Sequence, residues 1–524
     1  MHFRTRLLGL LLITSGALSA CQQGDGTEET HSPDALEGQP STPTAPGAPA
    51  PVAPGEPTPT PTPTQPGAPT PVPTPVPTPP PPQPVTYTRE WVVAPTGSDS
   101  AAGSASAPFR TIAKAISVVG PGERITVKAG TYAERLSIEG SVRAGTASAP
   151  IRLQGEGMPK IIPGNSNSSM VAIRKPYWHM DGFDVDAQGT AKFGVAFFDA
   201  TTTGSVLSGS KVHNGTAGAA VTTFSYATGV TIEGNEIHDY SRGSQDAHAV
   251  LVQYSSKNIT VRNNRLHSVS GDSVQCIGPE DYSDLPPADG VLIEGNVMYS
   301  TVENGFDIKT CYNVVIRKNV MYDFAAAGVV HMSAADVLIE DNDFYNVGKA
   351  IAIGGNHYGP VPTNVVVRRN RIRDVVKNSS GWEGNAIRLE NSEAAQVVNN
   401  TLVNVGNAAI MLGGGTGGAT SNLSVYNNLL QGSASVLHIG SQAPGLKVGN
   451  NLYASSAKVY VSGSGSLSFS AWMSQGKDSG SLEAPLQLST STFVPGSSAV
   501  DKGRNVGLGY CGAAPDIGAV ETGC

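Results

Sequence analysis

Residues 314–319 read VVIRKN and residues 337–342 read VLIEDN, so one six-residue phrase returns after 23 residues. The phrase is β-branched, any, β-branched, any, any, Asn, with some drift in its last copies. Nine copies, spaced 23 to 32 residues apart, end at Asn235, Asn264, Asn296, Asn319, Asn342, Asn370, Asn400, Asn428 and Asn451. A repeat of this length predicts stacked supersecondary units that bury their apolar faces against one another.

Within each copy Val or Ile alternates with other residues, which is the period of a β-strand with one buried face. The Asn follows the strand where the chain must turn, and Asn tolerates left-handed backbone angles. Its amide both donates and accepts, so asparagines of successive coils can bond in a ladder. A leucine-rich repeat would need Leu at fixed positions, and a propeller would need roughly 40–45 residues per blade. A left-handed β-helix follows a hexapeptide count that this sequence does not keep.

Each coil is predicted to contain three strands, shown by FDIKT (306–310), VVIRKN (314–319) and VMYDF (320–324). We call them the first, second and third strands. The next coil repeats the order with VVHMS, VLIEDN and DFYNV, and loops of variable length explain the irregular period. The sequence from about residue 88 to residue 524 resembles the right-handed parallel β-helix (pectate-lyase-like) family of secreted bacterial proteins. This resemblance implies an all-β solenoid but not a particular activity, because the fold hosts many chemistries.

Both ends of the predicted solenoid have recognisable segments. Ile112, Ala115, Ile116 and Val119 fall at helical spacing and predict a short amphipathic helix that covers the exposed strands of the first coil. The segment FSAWMSQGKDSGSL (469–482) and the phrases after it resemble the usual closing segment of secreted β-helix proteins. We therefore expect one domain over residues 87–524.

The N-terminus resembles a bacterial lipoprotein signal. Basic residues precede an apolar run over residues 7–13, and LSAC follows at 18–21. The resemblance implies a signal peptide over residues 1–20 and a lipid on Cys21; the alternative is an ordinary secretory signal with an incidental Cys. Residues 21–86 are rich in Pro and Thr and predict a disordered tether. We expect a location in the bacterial cell envelope, anchored on the outer surface or secreted.

The composition and the cysteines indicate which partners and disulfides to expect. The net charge is −8 and no basic stripe is present, which argues against nucleic acid. The lipid would be the only link to a membrane, since no later segment is long enough to span one; we expect a monomer. Cys511 and Cys524 are predicted to form a disulfide. Cys276 and Cys311 lie on consecutive coils and either pair or remain small buried residues, the reading that we favour.

Polar residues of the first strands predict a groove. If the apolar positions point inward, Gln253, Gln275, Lys309 and His331 form an outward column. Farther along, Arg388 and Glu390 face outward from AIRLEN. Coils stack about 4.8 Å apart, close to the length of one sugar ring. The column therefore predicts a polysaccharide track, with substrate contacts from Gln253, Gln275, Arg388, Glu390 and the loop aromatics Tyr282 and Trp382.

The phrase ENGFDIKTC (303–311) is the strongest candidate for chemistry. Lyases on this fold remove the proton beside a uronic acid carboxylate, with a Lys or Arg base and often Ca²⁺ to neutralise the carboxylate. The resemblance makes Lys309 the candidate base and places Asp307 and His331 in the candidate catalytic set. Asp272, Glu303 and Asp307 are the candidate calcium ligands.

Less specific interpretations remain open at this point. Asp307 and Lys309 can be a surface ion pair of little energetic value, and His331 can line the groove without acting as a base. Calcium-dependent lyases of this fold usually show denser acidic clusters, and this chain has no Asp-Asp pair. The first functional hypothesis is a lyase that cleaves uronic-acid-containing glycans by β-elimination. The second is a non-catalytic carbohydrate-binding or adhesive surface protein, and a hydrolase or epimerase ranks last.

Overall fold

The computed structural model describes residues 86–524 except 165–168, 225, 278–284, 332–334, 355–360, 414–419, 441–442 and 490. The coils stack as a right-handed parallel β-helix, as predicted. Cys21, Tyr282, the signal and the tether lie outside the described residues. Neither described helix is long and apolar enough to cross a membrane.

The second strands form one parallel sheet of 15 strands. Its strands are Arg89–Val93, Glu123–Lys128, Ile151–Glu156, Trp178–Asp181, Val206–Ser208, Thr231–Glu233, Lys257–Arg262, Ala288–Glu294, Cys311–Arg317, Ala335–Glu340, Thr363–Arg368, Gln396–Val398, Ser424–Tyr426, Lys447–Gly449 and Asp478–Ser479.

The first and third strands form two further sheets, joined by two long strands that run from the third sheet into the first. The joining strands are Val320–His331 and Asp343–Ile353. The first sheet also contains Leu136–Ile138, Val171–Ile173, Val195–Phe197, Ala219–Thr223, His248–Val252, Val274–Cys276, Phe306–Ile308, Asn385–Leu389, Ala408–Leu412, Ser435–Ile439, Lys458–Val461 and Gly465–Ser468. The third also contains Thr131–Ala133, Lys160–Ile162, Asp184–Thr190, Lys211–Gly215, Glu236–Tyr240, Arg265–Val269, Val297–Tyr299, Arg371–Val375, Thr401–Val405, Leu429–Gly432, Leu452–Ala454 and Leu482–Ala484.

Helices occur at both ends of the solenoid. Helix α1 (Ile112–Val118) begins after the N-cap Thr111 and buries Ile112, Ala115 and Ile116 against the first coils, as predicted. Helix α2 (Phe469–Met473) buries Trp472 at the other end, and a 3₁₀ turn spans Ala200–Thr202. The helices therefore cover apolar surface that the terminal coils would otherwise expose.

The nine repeat asparagines stand in single file, which confirms the predicted ladder. The Nδ2 of each donates to the Oδ1 of the next at 2.9–3.1 Å, and the backbone N–H of each donates to that same oxygen. All nine are at most 2% exposed. Each buried amide is thus satisfied by its neighbours, which fixes the register of successive coils.

The left-handed backbone angle falls on the residue before each ladder Asn, not on the ladder Asn as the sequence suggested. These preceding residues have φ between 50° and 67° and are Gly234, Asn263, Gly295, Lys318, Asp341, Arg369, Asn399, Asn427 and Asn450. The turn therefore uses one left-handed residue and leaves the following Asn free to point into the ladder.

Candidate functional site

The outer face of the first sheet carries a row of side chains, one from each coil. In the middle coils Gln275 lies in register with Leu251 on one side and with Asp307 on the other. Gln275 and Asp307 are 4% and 5% exposed. Polar side chains therefore replace apolar ones in this row at Gln275 and Asp307, and they are nearly buried there.

Lys309 lies beside this row, at the edge where the first strand turns toward the second. Its backbone N–H donates to the carbonyl of Cys276 at 3.0 Å, and Ile277 bonds to the preceding coil in the same way. Gln253, Ile277 and Lys309 thus occupy equivalent positions along this edge. The predicted column is wrong in joining Gln275 to Lys309, because its members belong to neighbouring rows.

His331 is also outside the predicted column. Its backbone is in register with Ile308 and Ile353, whereas the backbone of Val330 is in register with Asp307. A slip of one residue exchanges the two faces of a strand. Val329 and Val330 are both apolar. The alternation of apolar and polar residues therefore could not show which residues of this strand face outward.

Asp272 is a fully buried carboxylate at the start of a first strand. Its Oδ1 accepts from the backbone N–H of Asn304 at 3.0 Å and from Asn304 Nδ2 at 2.8 Å. Its Oδ2 accepts from Gln275 Nε2 at 3.1 Å, and His248 Nδ1 lies 3.2 Å away. Asp272 therefore orients two amide side chains at the floor of the groove.

Glu303 stands among three other carboxyl groups. Burial raises its pKa to about 8, and the charges of Asp272, Asp246 and Asp307 and a hydrogen bond with Asp246 act in the same direction. We call these four residues the acidic cluster. Burial and the neighbouring negative charges therefore both favour the protonated form of Glu303 at neutral pH.

The predicted calcium ligands Asp272, Glu303 and Asp307 come together in the acidic cluster, and calcium binding stays a prediction. Both oxygens of Asp272 accept hydrogen bonds from amide donors. No group of three or more His, Cys, Asp or Glu among the described residues is arranged to hold a metal ion. Carboxylate oxygens are nevertheless the type of ligand that calcium takes.

Arg388 and Glu390 belong to a second cluster on the same sheet. Arg388 Nε donates to Glu390 at 2.7 Å and its Nη1 donates to Glu383 at 2.9 and 3.1 Å, while Lys349 donates to Glu383 at 2.8 Å. Burial opposes the charge of Arg388, but its carboxylate partners raise its pKa. We call these four residues the mixed cluster. Glu390 is 4% exposed, so it serves as a partner of Arg388 and not as an open substrate contact.

The remaining predicted substrate contacts lie apart from the acidic cluster. Gln253 Nε2 donates to Thr222 Oγ1 at 3.3 Å, which directs the side chain toward the N-terminal coils. Trp382 is half-buried in the loop before Asn385–Leu389, and its backbone bonds to Asn378. The structure does not bring Gln253 and Trp382 together.

The described residues contain two disulfides. Cys276 and Cys311 are bonded with their Cα atoms 6.4 Å apart, so the expectation that they stay unpaired is wrong. Adjacent coils bring them within the range that a disulfide spans. Their bond closes the segment that carries Glu303, Asp307 and Lys309. Cys511 and Cys524 are also bonded.

Sequence reasoning missed Asp246, His248 and Asn304, as well as Lys349 and Glu383. Asp246, Asp272 and Glu303 all come shortly before a first strand, in three successive coils. That shared position was a usable signal. The pairing of Lys349 with Glu383 joins residues 34 apart and depends on coil stacking.

Comparisons with known proteins agree on the fold. Residues 248–430 match the family model described as the right handed beta helix region, and residues 95–139 match one described as a protein of unknown function, DUF1565. No curated protein matches this chain in sequence.

Solved structures similar to this chain are β-helix proteins. A PL6-family alginate lyase has a TM-score of 0.52 and 16% identity over 76% of this chain and 54% of its own. A pectate lyase has a TM-score of 0.36 and 16% identity over 83% and 97%. A mannuronan C-5 epimerase module from Azotobacter vinelandii has a TM-score of 0.40 and 16% identity over 62% and 90%. At these identities the likeness concerns the fold alone.

Proposed function

We propose that this protein engages polysaccharide on the outer face of the first sheet and cleaves a uronic-acid-containing glycan by β-elimination. The observation that carries the proposal is the acidic cluster, in which burial and the charges of Asp272, Asp246 and Asp307 raise the pKa of Glu303. Strongly shifted carboxyl groups concentrate at functional sites, because crowding like charges costs stability. Lys309 lies two residues beyond Asp307 and is half-buried at the edge of the same groove.

In the proposed reaction Lys309 Nζ, in its neutral form, takes the proton from C5 of a uronic acid. The electron pair of that C–H bond forms the C4–C5 double bond, and the bond from C4 to the glycosidic oxygen breaks. The leaving oxygen takes a proton from water. Negative charge builds on the substrate carboxylate in the transition state, and the protonated Glu303 donates a hydrogen bond to it.

The proton on Glu303 reduces the repulsion between the acidic cluster and an anionic substrate. An ionised acidic cluster would repel a uronic acid, because charges a few ångströms apart interact strongly in a partly buried site. A protonated Glu303 lowers the repulsion and supplies a donor. Asp272, already engaged by Asn304 and Gln275, orients amide groups near the same point.

The test is the ultraviolet absorbance of unsaturated products when the purified full chain is incubated with pectate, alginate or chondroitin. We expect product on one of them, and a loss of about 1,000-fold or more for Lys309→Ala, a magnitude within the usual range for a general base plus its positioning. Lys318→Ala is the matched control, since Lys318 is 64% exposed on the second sheet. No product on any polymer overturns the proposal.

Calcium is tested in the same assay. We expect activity to persist in a chelator, because both Asp272 oxygens are engaged by amides. If activity required added calcium, the ion would have to displace the Glu303 proton and the Asp272 contacts. Glu303 would then not be the donor proposed above.

A non-catalytic carbohydrate-binding protein is the second candidate. The observation in its favour is the low exposure of Gln275 and Asp307, which limits access to the floor of the groove. It predicts glycan binding that Lys309→Ala leaves unchanged, with no product from the unmodified protein. Binding measured by calorimetry beside the absorbance assay separates the two functions.

We also propose that a lipid on Cys21 anchors the protein in the bacterial envelope and that the tether presents the β-helix outward. The lipobox-like LSAC at residues 18–21 supports this. Cys21→Ser should move the protein from the membrane fraction to the soluble fraction. Retention of the variant in the membrane fraction would contradict the anchor.

A further inference from the structure

The C-terminal segment, residues 485–524, packs on part of the outer face of the third sheet. The segment and the sheet share one buried apolar cluster, which consists of Val403, Leu429, Leu452, Phe493, Ala499 and Ile517. Val403 is the register partner of Arg373. The apolar contact with the C-terminal segment therefore begins in the coil that follows Arg373.

A cavity of about 330 Å³ lies where this contact begins. Its walls include Asp343, Tyr345, Arg371 and Arg373 of the sheet and Ser491 and Phe493 of the C-terminal segment. Pockets for small ligands have volumes of about 300–1,000 Å³, so this cavity suits one small sugar and not a long chain. It combines an apolar wall with charged and hydroxyl groups.

Arg373 is held in place by a stack of aromatic rings. The stack runs along the outer face of the third sheet, with centroids 4.7–5.0 Å apart, through His213, His238, His267, Tyr299, Tyr322 and Tyr345. The Arg373 guanidinium lies 4.3 Å from the centre of the Tyr345 ring, and its Nη1 donates to Asp374 at 2.7 Å. A side chain that is already in place loses little freedom when a ligand binds.

The Arg373 guanidinium keeps two donors for a ligand. Within the described part of the chain its Nη1 bonds to Asp374, and its Nε and Nη2 form no hydrogen bond. These two N–H groups are parallel and form the fork with which arginine binds both oxygens of a carboxylate. Arg371 differs, because its Nε and Nη2 both contact Asp343, at 2.5 and 3.1 Å. Arg373 is therefore the group in this cavity that can anchor a carboxylate.

Asp343 distinguishes a sugar from a simple anion. Its carboxylate accepts hydrogen bonds, which the hydroxyl groups of a sugar can donate, whereas inorganic phosphate beside it would be repelled. Phe493 is 5% exposed and offers its ring to the apolar face of a sugar. A uronic acid matches all three groups, since it has a carboxylate, several hydroxyls and an apolar ring face.

We propose that this cavity binds a single uronic acid unit of an acidic glycan. The carboxylate bonds to Nε and Nη2 of Arg373, hydroxyl groups bond to Asp343, and the sugar ring packs on Phe493. The cavity lies on the third sheet, whereas Lys309 lies at the edge of the first. It is therefore a second glycan site, which retains the polymer at the protein surface and does not depend on β-elimination.

The test is the binding of single sugars to the purified full chain, followed by saturation-transfer NMR titration. Single sugars have no glycosidic bond, so cleavage does not interfere. The probes are galacturonate and glucuronate, with galactose and inorganic phosphate for comparison. We expect saturable binding of a uronate, and affinities at least about tenfold lower for galactose, which lacks the carboxylate, and for phosphate, which lacks the sugar ring.

Arg373→Gln should weaken uronate binding about tenfold or more, because it removes charge-assisted hydrogen bonds. Arg265→Gln is the matched control, since Arg265 also lies over a ring of the stack, 5.2 Å from the centre of Tyr299, two coils before Tyr345. It should leave the affinity unchanged, as should Lys309→Ala. Thermal melting checks the fold. Arg373→Lys, which keeps the charge but lacks the fork, replaces Arg373→Gln if that variant does not fold, and it should also bind more weakly.

The outcomes separate this site from the groove of the first sheet. Unchanged uronate binding in the Arg373 variant overturns the proposal, and so does phosphate binding as tight as that of a uronate. Loss of binding in Lys309→Ala with retention in the Arg373 variant would place the sugar in the groove instead. Absence of uronate binding overturns the second site but leaves cleavage of a polymer to be decided by the absorbance assay.

Discussion

The acidic cluster and the mixed cluster lie on the same outer face, with Asp307 and Arg388 three coils apart, yet they handle charge in opposite ways. In the mixed cluster, burial opposes the charge of Glu383, but Lys349 and Arg388 outweigh it and lower the pKa of Glu383. In the acidic cluster, burial and the charges of Asp272, Asp246 and Asp307 all act in the same direction and raise the pKa of Glu303. A buried charge with its partners supports the fold, whereas a buried charge crowded by its own kind lowers stability and is expected where it serves function.

The two clusters also differ in how their chain segments are held. The segment with Glu303 and Asp307 is closed by the disulfide between Cys276 and Cys311, which are 35 residues apart. The mixed cluster is cross-linked by its own ion pairs. The disulfide thus holds the segment with Glu303 and Asp307 in place, whereas ion pairs hold the segments of the mixed cluster in place.

Removing that disulfide should have the largest effect. The double variant Cys276→Ala/Cys311→Ala should lose about 4 kcal/mol of unfolding free energy, as expected for a closed loop of this length. Hydrogen exchange should accelerate most in residues 301–310. Removal of the bond between Cys511 and Cys524 is the control and should leave exchange in residues 301–310 unchanged; faster exchange there in both variants would contradict the local role.

Breaking the mixed cluster should rank second. Arg388→Met leaves the buried Glu390 without its cation and should cost about 3 kcal/mol in denaturant unfolding. Arg373→Met is the control, because Arg373 and its partner Asp374 are 36% and 42% exposed, and it should cost less than about 1 kcal/mol. Equal losses of unfolding free energy in the two variants would show that the ion pairs of the mixed cluster stabilise the fold no more than an exposed ion pair does.

The fold could be predicted from the sequence because successive coils repeat the same sequence pattern. Nine copies of one phrase gave the strands, the turns and the asparagine ladder, and the amphipathic spacing around Ile112 gave the first helix. The site was harder because a parallel register is set by the whole stack. Val329, Val330 and His331 fit either face, so His331 was placed one residue out of phase.

Side-chain partners were harder still. Asp272 was expected as a metal ligand, but whether its oxygens face an ion or the amides of Asn304 and Gln275 depends on loops from two coils. The disulfide between Cys276 and Cys311 depends likewise on how far the chain travels between coils. Local pattern identified candidate residues, whereas contacts between residues on different coils required the structure.

Glu303→Gln should have the smallest effect on stability, and its sign should be opposite to that of Arg388→Met. The folded pKa of about 8 lies above the ordinary value of 4.5, so the folded state binds a proton that the unfolded state releases. Stability of the unmodified protein should therefore fall as pH rises from about 4.5 to about 8. The variant lacks this proton and should escape that loss.

The gain from Glu303→Gln should be near zero at pH 4 and reach roughly 2 kcal/mol above pH 8, after allowance for solvent screening of a half-buried group. Denaturant unfolding at both pH values measures it. Glu393→Gln is the control, since Glu393 is exposed, and should show no such pH dependence. A gain of equal size at pH 4 would mean that the amide improves packing and that no crowding of charge is relieved. The contrast between the two clusters would then rest on the mixed cluster alone.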